Sequence, residues 1–516
     1  MSTAGSSTDL TGVFAEARRA VADVRSLFRF RAAGLRGRAR RVAPLALGVI
    51  TLVTLAVSVL PAFLPELDLT RRDMLLLLPS GYVSVLVVSI VSAAVSGGGR
   101  ELLPREQAVA FPVSPTTDHL GALLMAPLNV AWLVQGWTVV GATSYAVGAR
   151  VTLPVALLPV FLWLFTATAV AQLLAWGVEW VRRGPRGTLL VRLLAALLAG
   201  LVAVVVATGR LTWVLDHSPT VRIMLGALQG ADGRWLPWLG LVAELVATAA
   251  VALGMGAWAV GKVAGRPAND ELRVETSARP ARANPVSDLA ALVRTDRTAV
   301  WRSVPMRRGL VVLALLPGLA AVGGSFRWDM LGIFPGLVAS GGALLFGVNS
   351  WCLDGRGALW RDSLPVSPRL AFGSRVLVLL EVLVAASLVM LLLASLRAGL
   401  PTASQLAAVL CATVVLTVQV VATALRWSVR RPYAVDLRSA RATPAPPLVM
   451  VGYSSRLALS TTFTGLLFNL VSNAPWGWSL LLAVPFLLWS GLKLLRTANA
   501  WVDPPTRARV VATVAG

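Results

Sequence analysis

The chain carries many apolar stretches of roughly 20 residues, the length of a helix that crosses the hydrocarbon core of a bilayer. That pattern limits its fold more than any other feature. Lipid offers the backbone no hydrogen-bonding partner, so a spanning segment of this length closes its bonds within a helix. Of the 516 residues, 56% are hydrophobic and 14% are charged, against about 25% charged in an ordinary soluble domain. We place spans near 43–64, 74–96, 119–147, 153–181, 187–209, 236–262, 309–325, 329–352, 370–395, 403–427, 455–473 and 475–495. The expected fold class is all-α, a polytopic membrane protein with twelve transmembrane helices, six in each half. No short apolar segment with a small-residue cleavage site opens the chain, so no removable leader is expected.

The formal net charge is +23, and Lys262 and Lys493 are the only lysines. An arginine excess can signal nucleic acid, but in a membrane protein it marks cytoplasmic loops. With the N-terminus inside, the cytoplasmic pieces hold 38 of the 47 basic residues and the opposite loops hold 8, from Arg71 to Arg397. This asymmetry puts both termini in the cytoplasm and leaves no call for a nucleic-acid partner. Cys352 and Cys411 lie in or beside apolar segments, and His119 and His217 are far apart. These residues have no metal-ligand spacing, so they read as packing residues.

Two short passages recur. Phe111-Pro112-Val113-Ser114-Pro115 matches Leu364-Pro365-Val366-Ser367-Pro368 at an offset of 253, and the same offset takes Glu101 to Asp354. Further on, Thr166, Gln172, Trp180, Arg183 and Pro185 fall on Thr413, Gln419, Trp427, Arg430 and Pro432 at an offset of 247. Each pair sits on the same side of the expected membrane, so the halves are parallel repeats related by an axis along the membrane normal. The polar stretch 265–287 reads as a flexible tether. It separates a first half, 1–264, from a second, 288–516. A basic stretch with apolar residues at helical spacing precedes each half, at 13–41 and 288–308, and reads as an interfacial helix. Residues 210–235 form the largest outer connection and have no equivalent in the second half, so they are expected to form a cap on one half only.

No GxxxxGK[ST] loop is present, since Val263 follows Lys262 and Leu494 follows Lys493. The chain is therefore not expected to hydrolyse ATP. It also lacks a serine nucleophile elbow and an HExxH motif. Polar groups inside spans are candidates for a translocation path, because burying them in lipid is costly. They are Asn129, Gln172, Gln419, Glu244 and Glu381. The bland alternative for each is one interhelical hydrogen bond of about 1 kcal/mol. Glu244 and Glu381 do not share a repeat position, which argues against a symmetric proton relay. The repeated cytoplasmic element, with Leu359, Trp360 and Leu364 in one copy and Phe111 in the other, reads as a short interfacial helix.

On the residues Glu101 to Pro115 and Asp354 to Pro368, the chain resembles the ABC-2 family of exporter permeases. Their six-span unit has an amphipathic elbow helix, then a coupling helix between its second and third spans. The resemblance covers nearly the whole chain, as two fused copies. The glycines flank the acid differently in the two copies, at 97–99 and at 355 and 357. The resemblance implies the permease of an exporter for a small-molecule, peptide or lipid cargo, in a bacterial-type inner cell membrane. It implies a separate ATPase subunit, in two copies, which would hold ATP and Mg, with no cofactor in this chain. The coupling residues it implies are Glu101, Phe111, Pro112, Ser114, Asp354, Trp360, Leu364, Pro365 and Ser367. The rival readings are a proton-coupled secondary transporter and a polyprenyl-dependent glycosyltransferase, for which Glu66, Asp68 and Asp73 would be the outer acids.

Overall fold

The computed structural model describes residues 10–33, 38–66, 70–95, 113–128, 130–266, 285–324, 326–345, 347–355, 357–433 and 447–515. Among the described residues every regular element is a helix. The chain divides into two compact units, with the boundary between 276 and 277.

The first unit contains α1 (Leu10–Ala33), α2 (Arg38–Val59), α3 (Arg71–Val95), α4 (Pro115–Met125), α5 (Val130–Val147), α6 (Leu153–Arg182), α7 (Gly187–Ala207), α8 (Leu211–Asp216), α9 (Val221–Ala231) and α10 (Trp235–Ala264). The second contains α11 (Asp288–Arg302), α12 (Val304–Gly323), α13 (Phe334–Leu345), α14 (Gly357–Asp362), α15 (Pro368–Ala398), α16 (Ala403–Arg430), α17 (Pro447–Leu470), α18 (Trp476–Val502) and α19 (Pro504–Ala515).

Among the described residues, eight helical segments are long and apolar enough to cross a membrane: Arg71–Ala94, Leu153–Arg182, Trp235–Ala264, Met306–Gly323, Trp328–Leu345, Pro368–Ala398, Ala403–Arg430 and Trp476–Val502. Their faces leave large apolar side chains uncovered, as Leu481, Leu488 and Leu495 do on α18. Such surface belongs in lipid rather than water. This is a multi-pass, all-helical membrane protein. The apolar stretches Leu47–Phe63 and Gly187–Val202 are shorter. The expected span over 119–147 is broken by a 3-10 turn at Ala126–Leu128 that parts α4 from α5. The segment 455–473 falls largely within α17, which also takes in polar Ser454, Ser455 and Arg456.

Local chemistry explains the helix limits. Thr402 accepts from the Gln405 N–H while the Gln405 side chain accepts from the Thr402 N–H, a capping box that starts α16. The Val- and Thr-rich run inside α16 has modest helix propensity in water. In lipid the helix is its only route to satisfied backbone groups. Pro368 occupies the first turn of α15, where no N–H is needed. Gly399 ends α15 at φ +74°, a conformation that favours glycine.

Each unit packs about one long helix. In the first, Ala156, Val160 and Ala167 of α6 are buried against Tyr82, Val139 and Ile223. Tyr82 and Thr143 share a 2.8 Å hydroxyl bond in this core. In the second, Ala412, Val415 and Leu416 of α16 are fully covered by Phe468 and Ala483. Small residues let backbones approach, which matters where lipid removes the hydrophobic drive between helices.

Two expectations about the connections change. The outer segment 210–235 forms α8 and α9, and α9 buries Ile223, Gly226, Ala227 and Gly230. A Cβ at Gly226 would collide with Leu241 of α10. The segment is therefore integral to the first unit's packing. At the other end of the chain, the last expected span, 475–495, is the start of a longer helix. α18 runs on to Val502, and α19 returns to pack on α14.

Candidate functional site

The second copy of the repeated element is described except at residue 356 and lies between α13 and α15. The α13 span stops at Leu345, earlier than the 352 expected; a 3-10 stretch over Gly347–Leu353 follows, broken where Asn349 leaves the helical region at φ −146°, ψ 75°. The break is satisfied from α16. Ser428 Oγ donates to Gly347 O at 3.0 Å and accepts from Ser350 N at 2.8 Å. Asn349 Nδ2 donates to Tyr433 O at 2.7 Å. A turn through Gly355, at φ +49°, then reverses the chain into α14.

Behind α14 lie two acids and two arginines. Both Arg375 Nη2 contacts to Asp354, one to each oxygen, are 2.8 Å. Arg361 Nη1 donates to Asp354 Oδ1 at 3.0 Å. Asp296, one face of α11, takes Arg361 Nη2 at 3.0 Å and Ser374 Oγ at 2.8 Å, with Arg361 Nη1 and Arg375 Nη2 also on it. The Asp296 and Arg375 side chains are 0% exposed. Four charges thus cancel in a closed site, and each is hydrogen-bonded, the condition under which buried charge is tolerable. Burial works against the Asp296 carboxylate, yet the Arg375 charge and the Arg361 and Ser374 bonds hold it below the usual carboxylate range. Those same acids hold Arg361 protonated against its own burial.

On the aromatic side the cluster borders a small cavity lined by Trp351, Asp354, Arg361, Trp501 and Val510. The Arg375 guanidinium lies 5.2 Å from the Trp351 ring centroid, and Trp351 stacks on Trp501 at 3.9 Å. From α19, Arg507 pairs with Asp362 at 2.9 Å, and Val510, Val511 and Val514 complete the core under α14. Burial pushes the neighbouring Cys352 thiol up to about 12, so it stays an inert thiol.

The structure thus changes the role expected of Asp354. Both its oxygens are committed inside the unit, so it is a brace and not an exposed acid awaiting a base on another subunit. What α14 shows outward is apolar: Leu359 and Trp360 are 60% and 65% exposed. Leu364 is half-buried, while Pro365 and Ser367 are exposed in the turn before α15. In the first copy, Glu101, Phe111 and Pro112 lie outside the described residues. Ser114 caps α4 by accepting from Thr117 N at 3.1 Å. Thr116 Oγ1 donates to Glu16 of α1 at 2.7 Å. Buried Val24 and Met125 join the same two helices.

The candidate path residues are dispersed. Gln172 is buried with no partner for Oε1 among the described residues. Its repeat counterpart Gln419 accepts from Thr464 Oγ1 at 3.2 Å. Glu244 pairs with Arg222 of α9 at 2.6 Å, and Glu381 with Arg297 of α11 at 2.8 Å, both on exposed faces. Asn129 lies outside the described residues. Of the outer acids, Asp73 accepts from Thr70 N and Oγ1 at the start of α3, and Glu66 lies 3.9 Å from Arg71. Asp68 is not described. The sequence reading missed Asp296, Arg361, Arg375 and the α19 brace. Their one signal was an acid in the middle of an otherwise basic amphipathic helix.

No family model, curated protein or solved structure matches this chain.

Proposed function

We propose that this chain is the membrane permease of an ATP-binding-cassette exporter, and that residues 347–368 transmit the motion of a separate ATPase subunit to the flanking spans. One observation carries the reading. The α14 element stands on a buried, fully paired charge cluster shared with α11 and α15, yet leaves Leu359 and Trp360 uncovered at its surface. A helix on so stiff a base moves the spans at either side of it, whereas a flexible loop would absorb the displacement. Uncovered aromatic and aliphatic side chains on such a base suit a desolvated joint with a partner.

The twelve spans would form two parallel six-helix repeats, with the two Pro-Val-Ser-Pro turns on the cytoplasmic face. The basic-residue asymmetry supports cytoplasmic termini in a bacterial-type inner cell membrane. ATP and Mg would be held by the partner, in two copies. The cargo would be a hydrophobic or amphipathic molecule. Proton coupling is disfavoured because Glu244 and Glu381 are each closed in an ion pair with a neighbouring arginine.

The test uses the full chain with Leu359→Asp and Trp360→Asp together. Both side chains are exposed, so membrane insertion and melting temperature should be retained. Co-purification with the ATP-hydrolysing subunit and cargo-stimulated turnover should fall about tenfold or more. Unchanged coupling in a folded double variant overturns the reading.

A further inference from the structure

A second charged cluster in the same unit has the opposite character. Helix α16 packs on both α17 and α18, and the three contain no aspartate or glutamate. They contain five basic residues: Arg426, Arg430, Arg456, Lys493 and Arg496. All five lie toward the end where α16 and α18 finish and α17 begins. Lys493 feels the charges of Arg456, Arg426 and Arg430, and Arg426 feels those of Arg430, Arg456 and Arg496. The described acids of this unit are engaged elsewhere: Asp296 and Asp354 with Arg361 and Arg375, Asp362 with Arg507, Glu381 with Arg297, Asp329 with Arg327, and Asp503 capping Thr506. Asp288 opens α11.

Ordinary positive flanks of spans spread over the helix ends. Here the charges converge, with Lys493 and Arg426 partly buried and Arg430, Arg456 and Arg496 exposed around them. At 1.5 Å per residue, Arg456, Lys493 and Thr423 sit roughly 10–14 Å inside the ends of their helices. Lys493 is half-buried and donates to Thr423 Oγ1 at 2.7 Å, while that hydroxyl donates to Gln419 O at 2.8 Å. Convergent like charges in a low-dielectric setting are costly unless an anion joins them. Beside them, Leu459, Trp489 and Leu495 present uncovered apolar side chains on α17 and α18. Convergent cations flanked by bare apolar surface match an anion that carries a hydrocarbon chain.

We propose that Arg426, Arg430, Arg456, Lys493 and Arg496 form a binding site for the phosphate headgroup of an anionic lipid, whose chains run along α17 and α18. The site lies within the second unit and does not depend on the exporter reading, because its occupancy needs no ATPase. The Thr423–Gln419 ladder fixes Lys493 in place, and the four guanidinium groups supply the paired donors that suit phosphate oxygens.

The experiment purifies the full chain and adds phosphatidylglycerol or phosphatidylcholine of identical chains. Retained lipid is read by native mass spectrometry, and melting temperature is read in parallel. The wild type should retain phosphatidylglycerol selectively. Arg426→Gln and Arg456→Gln should each weaken retention roughly fivefold, while Arg397→Gln, at the far end of α15, should not. The melting curves carry the second arm. In neutral detergent alone, Arg456→Gln should melt higher than the wild type, since a like charge is removed. With phosphatidylglycerol added, that order should reverse. A purely structural arginine would lower the melting temperature in both conditions, which overturns the proposal. Equal retention of the two lipids also overturns it. So does complete displacement of phosphatidylglycerol by millimolar inorganic phosphate, which would make the ligand a free anion.

Discussion

Each unit ties its leading helix to the helix that follows a Pro-Val-Ser-Pro turn, and the ties differ in kind. In the first, among the described residues, an exposed hydrogen bond joins Thr116 to Glu16, with Val24 and Met125 packed beside it. In the second, Asp296 is sealed among Arg361, Ser374 and Arg375. The offset of 253 that aligns the turns carries Arg361, Ser374 and Arg375 onto Ala108, Gly121 and Ala122. At those aligned positions the first unit has no side chain able to build the same cluster. Ala122 is buried there, and the neighbouring polar contact is Trp176 Nε1 donating to His119 Nδ1 at 3.1 Å. The repeat shares the turn and its position in the chain, while the chemistry that stiffens it belongs to one half.

The largest effect expected from this contrast is on Arg375. Replacing it by Ala leaves the Asp296 and Asp354 carboxylates to share Arg361 alone, a net buried negative charge and a loss of about 3–5 kcal/mol. The purified variant should melt far below the wild type, or the second unit should fail to fold, while Ala122→Ser at the aligned site should have little effect. Wild-type melting for Arg375→Ala would mean that the charges are not sealed and the contrast is lost.

Acid should act on the same cluster more gradually. The ordinary carboxyl value for Asp296 is 3.8, and its folded value is lower. Its contribution is therefore fully present above about pH 4 and is lost as pH falls through the folded value. The near-ultraviolet circular dichroism of the stacked Trp351 and Trp501 should hold steady down to about pH 4 and decline below it. A decline centred near pH 6 would assign the transition to another group.

The smallest effect belongs to the first unit. Glu16→Ala should cost about 0–1 kcal/mol, the scale of an exposed polar pair. A shift in melting temperature as large as that of Arg375→Ala would erase the difference between the two units.

Much of the architecture follows from the sequence alone. Apolar length sets the helical class, because lipid leaves the backbone no other partner. The long spans at Leu153–Arg182, Pro368–Ala398 and Ala403–Arg430 were legible for this reason. The 3-10 break at Ala126–Leu128 was not, since hydropathy runs through it unchanged. Neither was the break after α13, where Asn349 leaves the helical region and Ser428 and Tyr433, some 80 positions on, supply partners.

The Pro-Val-Ser-Pro repeat, the absence of a nucleotide loop and the basic asymmetry are one-dimensional signals, carried by neighbours in the chain. The site's chemistry is not of that kind. Asp296 reads as an acid in a basic helix, and Arg375 as one more basic residue of a cytoplasmic segment. Only the folded second unit brings Asp296, Asp354, Arg361 and Arg375 to within hydrogen-bonding distance and shields them from water. Burial and mutual distance decide whether a charge braces a helix, binds an anion or does nothing, and both are properties of packing between distant segments.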